Sequence, residues 1–186
     1  MKPTKNVVIS SAVWTQPRVS QREFELRREG ELVGRLEFPK ALGSLAVAEY
    51  AGRRWTFKRV GFFSTRVTVR REGEESDLAV YEPRWSGLQG TLRFSDGRVY
   101  GWTSTSFWGQ EFAFVDQTNA AVVVLHSGGP EFHLSDIFKT QATVEVCATE
   151  EDHPMIPLLV LLGWYLLILH HQDAAASGGA VVAATG

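Results

Sequence analysis

At 186 residues the chain is long enough for one domain of ordinary size, which can bury about 70% of the surface its unfolded form exposes. Its 44% hydrophobic and 22% charged content excludes a wholly disordered chain and a multi-span membrane protein. Cys147 is the single cysteine, so an intrachain disulfide and a thiolate-rich metal cluster are excluded, and a reducing, cytoplasmic location is expected.

At the N-terminus Lys2 and Lys5 precede only Val7-Val8-Ile9 and Ala12-Val13-Trp14, too little apolar sequence for a secretory signal. From about residue 22 to residue 148 short segments alternate apolar and polar residues and close on Gly, Asp, Asn or Pro, which is strand periodicity. Phe24 and Leu26 alternate with Glu23, Glu25 and Arg27, and Glu29-Gly30 turns the chain into Leu32, Leu36 and Phe38, a hairpin. Trp55 and Phe57 alternate with Thr56 and Lys58, and Val67 and Val69 with Arg66, Thr68 and Arg70. Further strands are expected at 78–81, 111–115, 122–126 and 143–148. The clearest turn is Ser95-Asp96-Gly97-Arg98, where Asp-Gly tolerates positive φ between 91–94 and 99–103.

Residues 155–169 carry no charge, and Leu158-Leu159-Val160-Leu161-Leu162 leaves no polar face, so a helix here needs cover on every side. Within the expected central helix of about 155–171, the helical part from about Pro157 to His171 would be roughly 22 Å long, short of the ~30 Å of a bilayer core. Glu150-Glu151-Asp152 precedes it and His170-His171-Gln172-Asp173 follows, without the flanking Lys/Arg of a membrane span, and Trp164 and Tyr165 lie in its middle. A buried helix is therefore expected, with a tail anchor as the alternative. Asp152 is the expected N-cap, and His170-His171 the helix end. Residues 174–186, mostly Ala, Gly and Val, are expected to be a disordered tail behind a single domain spanning 1–173.

Strands at this short, regular spacing suggest a mainly β fold, a barrel or a sandwich, and a closed antiparallel barrel around the one wholly apolar C-terminal helix would bury that helix completely. The last strand, Ala142-Thr-Val-Glu-Val-Cys-Ala148, the preceding Asp136-Ile137-Phe138 and the helix Ile156-Pro-Leu-Leu-Val-Leu-Leu-Gly-Trp-Tyr-Leu-Leu-Ile-Leu169 resemble the tubby C-terminal-like superfamily. That superfamily includes tubby domains, phospholipid scramblases and LURP-one-related proteins. The resemblance implies about twelve strands wrapped around the helix. It also implies a lipid-related role, because tubby domains bind phosphoinositide head groups through basic side chains, although those positions do not match here residue by residue. The calcium associated with scramblase-type members does not transfer, because Glu150-Glu151-Asp152 lacks the alternating ligand spacing of a calcium loop.

The net charge of −2 divides unevenly. Residues 1–71 hold fifteen Lys/Arg against six Asp/Glu, and residues 72–186 hold four against fifteen. The densest basic run is Arg53, Arg54, Lys58, Arg59, Arg66, Arg70 and Arg71, interleaved with Trp55, Phe57, Phe62 and Phe63. On alternating strands several of these cations would share the outer face and adhere to anionic lipid at about 1 kcal/mol each. The competing reading pairs them with Glu72, Glu74, Glu75 or Glu82 and buries the aromatics in the barrel.

No catalytic or metal motif is present: there is no G-x-S-x-G, no phosphate loop, no H-E-x-x-H and no C-x-x-C. Cys147 and His126 are a weak thiolate-pair candidate, and Ser127-Gly128-Gly129-Pro130 reads as an ordinary loop. The expectation is a non-enzymatic domain without metal or cofactor, peripheral on anionic membranes, with nucleic acid an improbable partner. A structural or protein-interaction module is the alternative.

Overall fold

The computed structural model describes residues 11–18, 20–62, 64–84, 89–105, 111–127, 142–147 and 154–183, with side chains through Ala176. Expectations for Asp152 as N-cap, for Glu150-Glu151, for 128–130 and for Asp136-Ile137-Phe138 lie outside these residues.

Twelve strands close into one antiparallel barrel: β1 (Ser11–Thr15), β2 (Glu23–Arg28), β3 (Glu31–Glu37), β4 (Ala46–Tyr50), β5 (Arg53–Val60), β6 (Arg66–Arg71), β7 (Ala79–Pro83), β8 (Gly90–Phe94), β9 (Val99–Ser104), β10 (Glu111–Val115), β11 (Ala121–Ser127) and β12 (Ala142–Val146). Each strand pairs with its sequence neighbours, and β1 pairs with β12 to close the ring, so no edge is left open. The twelve-strand barrel is as expected. The sequence reading lacked β1 and β4. In β4 the inward residues are Ala46 and Ala48, both fully buried, but alanine gives little of the apolar contrast that marks a strand.

The turns follow from local chemistry. Glu29 and Gly30, at φ 53° and 85°, form a two-residue turn between β2 and β3, and Ala51 and Gly52, at 48° and 75°, form another between β4 and β5. Two successive positive φ values match the twist of the flanking strands. At 95–98 only Gly97 adopts positive φ, at 93°. Its N–H donates to Phe94 O at 3.1 Å and Phe94 N–H donates to Arg98 O at 2.8 Å, a turn closed by a glycine bulge.

Helix α1 (Ile156–Ala183) fills the barrel. Every residue from Leu158 to Leu169 is buried, Gly163 included. Trp164 stacks on Trp14, with centroids 5.5 Å apart and planes 6° off parallel, and meets Phe24 edge-on at 5.7 Å. Tyr165 stacks on Phe38 at 5.8 Å, and its hydroxyl donates to Ser44 O at 2.6 Å. The phenol is thereby a buried ring with a satisfied polar tip. Gly163 lets the helix approach the wall closely, since a Cβ there would lie 2.8 Å from Leu125 Cδ1.

Two expectations about the helix need correction. It does not end at His171 but continues to Ala183, through most of the segment expected to be a disordered tail. Alanine has the strongest helix propensity, and Asp173 is anchored by Arg59 Nη1 at 2.8 Å, so the chain keeps winding after it leaves the barrel. At 28 residues the helix is about 42 Å long, and Ile156–Ala176 is by length and composition long and apolar enough to cross a bilayer. Length therefore does not argue for a core helix. What does is the burial of every residue from 158 to 169 inside the barrel.

Candidate functional site

Strand register assigns each of the seven cations to a face. On β5 Trp55 and Phe57 point inward, so Arg54, Thr56, Lys58 and Val60 point outward, while on β6 Val67 and Val69 point inward and Arg66, Thr68 and Arg70 outward. Arg53, Arg59 and Arg71 have inward parity but sit at the barrel rims: Arg53 and Arg71 at one end, Arg59 at the other. The seven cations do not form one surface.

Most of them are also occupied. Arg54 lies 2.8 Å from Glu72 and 3.6 Å from Glu49, Arg70 lies 2.6 Å from Asp77, and Arg71 lies 3.6 Å from Glu74. Arg59 pairs with Asp173 on the emerging helix. Arg53 lies 5.7 Å from the centroid of Trp55. Glu82, an expected partner, pairs instead with Arg93 at 3.7 Å. Lys58 and Arg66 have no acidic partner among the described residues, and they are diagonal neighbours on the outer face, because Lys58 is opposite Thr68 and Arg66 is opposite Val60. Of the interleaved aromatics, Trp55 and Phe57 are buried in the barrel, Phe62 is 90% exposed, and Phe63 lies outside the described residues.

The barrel has two unlike ends. Odd strands all run one way and even strands the other, so the described residues of the connections that follow β1, β3, β5, β7 and β9 share one end. Helix α1 leaves through that end, as the Tyr165–Ser44 and Asp173–Arg59 contacts require. The described residues of these connections include Arg18, Arg22, Lys40 and Arg84 and no acid. The connections at the opposite end carry Glu29, Glu72, Glu74, Glu75, Asp77, Asp96 and Asp116, with Arg98 as their one cation among the described residues. The sequence reading missed this segregation. Summing charge over alternate connections, instead of over chain halves, would have found it.

At the helix-exit end Arg22 is a structural strap. Its Nη1 donates to the carbonyls of Lys40, Ala41 and Gly43 at 3.1–3.3 Å, and its guanidinium carbon lies 4.0 Å from the centroid of the Phe38 ring. Burial pulls this guanidinium below its ordinary value, partly offset by Tyr165. The strap fixes the loop that carries Lys40 and Leu42 at its tip, and Leu42 is 90% exposed.

The remaining candidates separate. Cys147 N–H donates to Val122 O, whereas His126 is opposite Thr143, so the thiol and the imidazole stand about four strand residues apart, on the order of 13 Å. Burial, and then Glu145, push the Cys147 thiol above its usual value, the reverse of an activated thiolate. His126 instead bridges β10 and β12, with Nδ1 3.1 Å from Glu111 and Nε2 3.6 Å from Glu145. Among the described residues no three His, Cys, Asp or Glu side chains converge as a metal site. His171 does not end the helix. Desolvation, and then His170, hold its imidazole below the usual value, which disfavours the protonated form that would suit a helix end.

No protein-family model matches the chain, and no curated protein sequence matches it. Among solved structures it is similar to a protein of Arabidopsis thaliana determined by X-ray crystallography, with a TM-score of 0.54 and 17% identity, over 85% of this chain and 92% of that one. At that identity the likeness establishes a shared fold.

Proposed function

We propose that this chain is a tubby-like, non-enzymatic binding domain of the cytoplasm that attaches peripherally to anionic lipid head groups. The observation that carries the reading is the outward-facing pair Lys58 and Arg66, adjacent on β5 and β6 and without acidic partners among the described residues. The tubby-like assignment rests on the architecture, a twelve-strand barrel around an apolar helix, together with the strand and helix that carry the resemblance. Because the helix occupies the lumen, a ligand is sought on the outer wall and the loops. Arg54, Arg59, Arg70 and Arg71, tied to carboxylates, contribute less than their number suggests, since a cation already paired offers little net charge to a phosphate.

Each exposed cation near an anionic surface adds about 1 kcal/mol, so the Lys58–Arg66 pair gives salt-sensitive adhesion. Co-sedimentation with vesicles of phosphatidylcholine and phosphatidylserine, with and without phosphoinositide, tests the reading. Lys58→Glu with Arg66→Glu should weaken binding at least tenfold, and raising the salt should weaken the parent chain similarly. Absence of binding to any anionic vesicle, or binding untouched by the double reversal, refutes it.

A further inference from the structure

Two large apolar side chains stand out on the described surface. Leu42, between β3 and β4, and Phe62, between β5 and β6, are each 90% exposed, more than any other large apolar residue described. Their connections are successive at the helix-exit end, separated by the β4–β5 hairpin, so both project from the same rim of the barrel. Single exposed apolar residues are ordinary on a surface. Two on neighbouring loop tips, at the end whose described connections hold cations and no acid, are less so. Lys40 lies two residues from Leu42, and Lys58 and Arg66 flank the connection that carries Phe62. Leu42 does not hang from a loose loop, because the Arg22 strap and the Tyr165–Ser44 bond hold its connection to the barrel and the central helix.

We infer that the helix-exit end is the membrane-facing end of the barrel, and that Leu42 and Phe62 are wedges that enter an anionic bilayer between its head groups. This rests on the lipid reading proposed above and adds an orientation and an apolar contact to it. Charge complementarity selects the occupant. Among the described residues, an anionic surface attracts the end with basic connections and repels the opposite end, where Glu29, Glu75 and Asp116 have no arginine partner, which turns the barrel before contact. Apolar tips ringed by cations then meet the interface, where burying a leucine or phenylalanine side chain is favourable. The helix passes out through this same rim, so the turns beyond Asp173 lie on the side that docks, while residues 158–169 stay packed in the barrel.

The experiment separates this inference from the reading beneath it. Leu42→Ser and Phe62→Ser, singly, should each weaken partitioning into phosphatidylserine vesicles about tenfold while leaving the salt dependence unchanged. Lys58→Glu with Arg66→Glu should weaken binding and flatten the salt dependence. If the serine variants bind like the parent chain while the charge reversals do not, adhesion stands and the wedge is wrong. If neither change matters, or nothing binds, both fail.

A second readout gives the orientation directly. In a Cys147→Ser background, an environment-sensitive dye on Leu42→Cys should shift to the blue with anionic vesicles and be quenched by brominated lipid. The same dye on Thr118→Cys, at the acidic end, should not respond. A response at position 118, or none at position 42 in protein that binds vesicles, overturns the orientation. Self-association of the parent chain in buffer that the serine variants abolish would assign the wedges to a second copy and overturn the membrane assignment.

Discussion

Replacing Trp164 by alanine removes the ring around which the helix and the barrel wall are assembled. Trp164 is 1% exposed, stacks on Trp14 and abuts Phe24. Truncating a buried tryptophan to alanine costs about 3–5 kcal/mol once the residual cavity is included. One term opposes this: Trp164 Nε1 is buried without an acceptor among the described residues, as is Trp14 Nε1, and an unmade hydrogen bond of that kind costs about 1–3 kcal/mol. With the N–H term taken at about 1 kcal/mol, the low end of that range, the net expectation is a loss of about 2–4 kcal/mol, or roughly 4–16 °C in Tm for a chain of this size. Trp164→Phe separates the terms, since it keeps a ring against Trp14 and removes the orphaned N–H, so it should cost about 1 kcal/mol or less. Guanidinium unfolding followed by far-ultraviolet circular dichroism gives the stabilities, and near-ultraviolet dichroism reports loss of the stacked indole pair. An alanine variant within about 0.5 kcal/mol of the parent, or a phenylalanine variant as damaged as the alanine one, would show that the Trp164 ring does not hold helix and wall together.

Other consequences follow from particular positions. At Gly163 a valine should cost about 1–3 kcal/mol against Leu125 Cδ1, whereas alanine should be nearly neutral, because its better helix propensity offsets a contact that a leucine end can relieve; denaturant midpoints decide. Ala51 sits at φ 48°, so Ala51→Asn, at ease in that region, should stabilise by roughly 0.5–1 kcal/mol, read as a rise in Tm. Tyr165 is pushed up to about 12, chiefly by burial, above its unfolded value of about 10. Between those values the folded chain holds a proton that the unfolded chain has released, so stability contributed by this group is present below pH ~10 and lost as pH rises toward 12. Tyr165→Phe should show a shallower fall of unfolding free energy between pH 9 and 11 than the parent, and an equal slope would contradict the assignment. The exposed Arg59–Asp173 pair should show a coupling of about 1 kcal/mol or less in a double-mutant cycle with alanine.

The fold was legible where side chains alternate in strong contrast. Phe24 and Leu26 against Glu23 and Glu25, or Val67 and Val69 against Arg66 and Arg70, announce a half-buried strand, and Asp96-Gly97 announces its turn. The apolar helix was legible because no face of it can meet water. β4 was hidden because its inward residues are two alanines, and the Ala51-Gly52 turn because alanine is an unusual occupant of positive φ. The helix end was misplaced because charge and histidine at 170–173 read as a stop, although alanine-rich sequence continues a helix already nucleated in the barrel. The basic run illustrates a different limit. Composition counts seven cations between residues 53 and 71, but register divides them between faces, and carboxylates such as Asp77 and Asp173 claim several of them. Which cations stay unpaired is a property of the closed sheet.

In the proposed mode of attachment, helix α1 is the core of the barrel and stays there while the helix-exit rim docks on a membrane. Hydrogen exchange on the full chain, with and without anionic vesicles, tests it most directly. Amides of 158–169 should exchange only through global unfolding and be unaffected by vesicles, while those of 38–45 and 61–62 gain protection. Rapid exchange of 158–169 in buffer, or vesicle-induced exposure of the β-strands as the helix transfers into lipid, would contradict it.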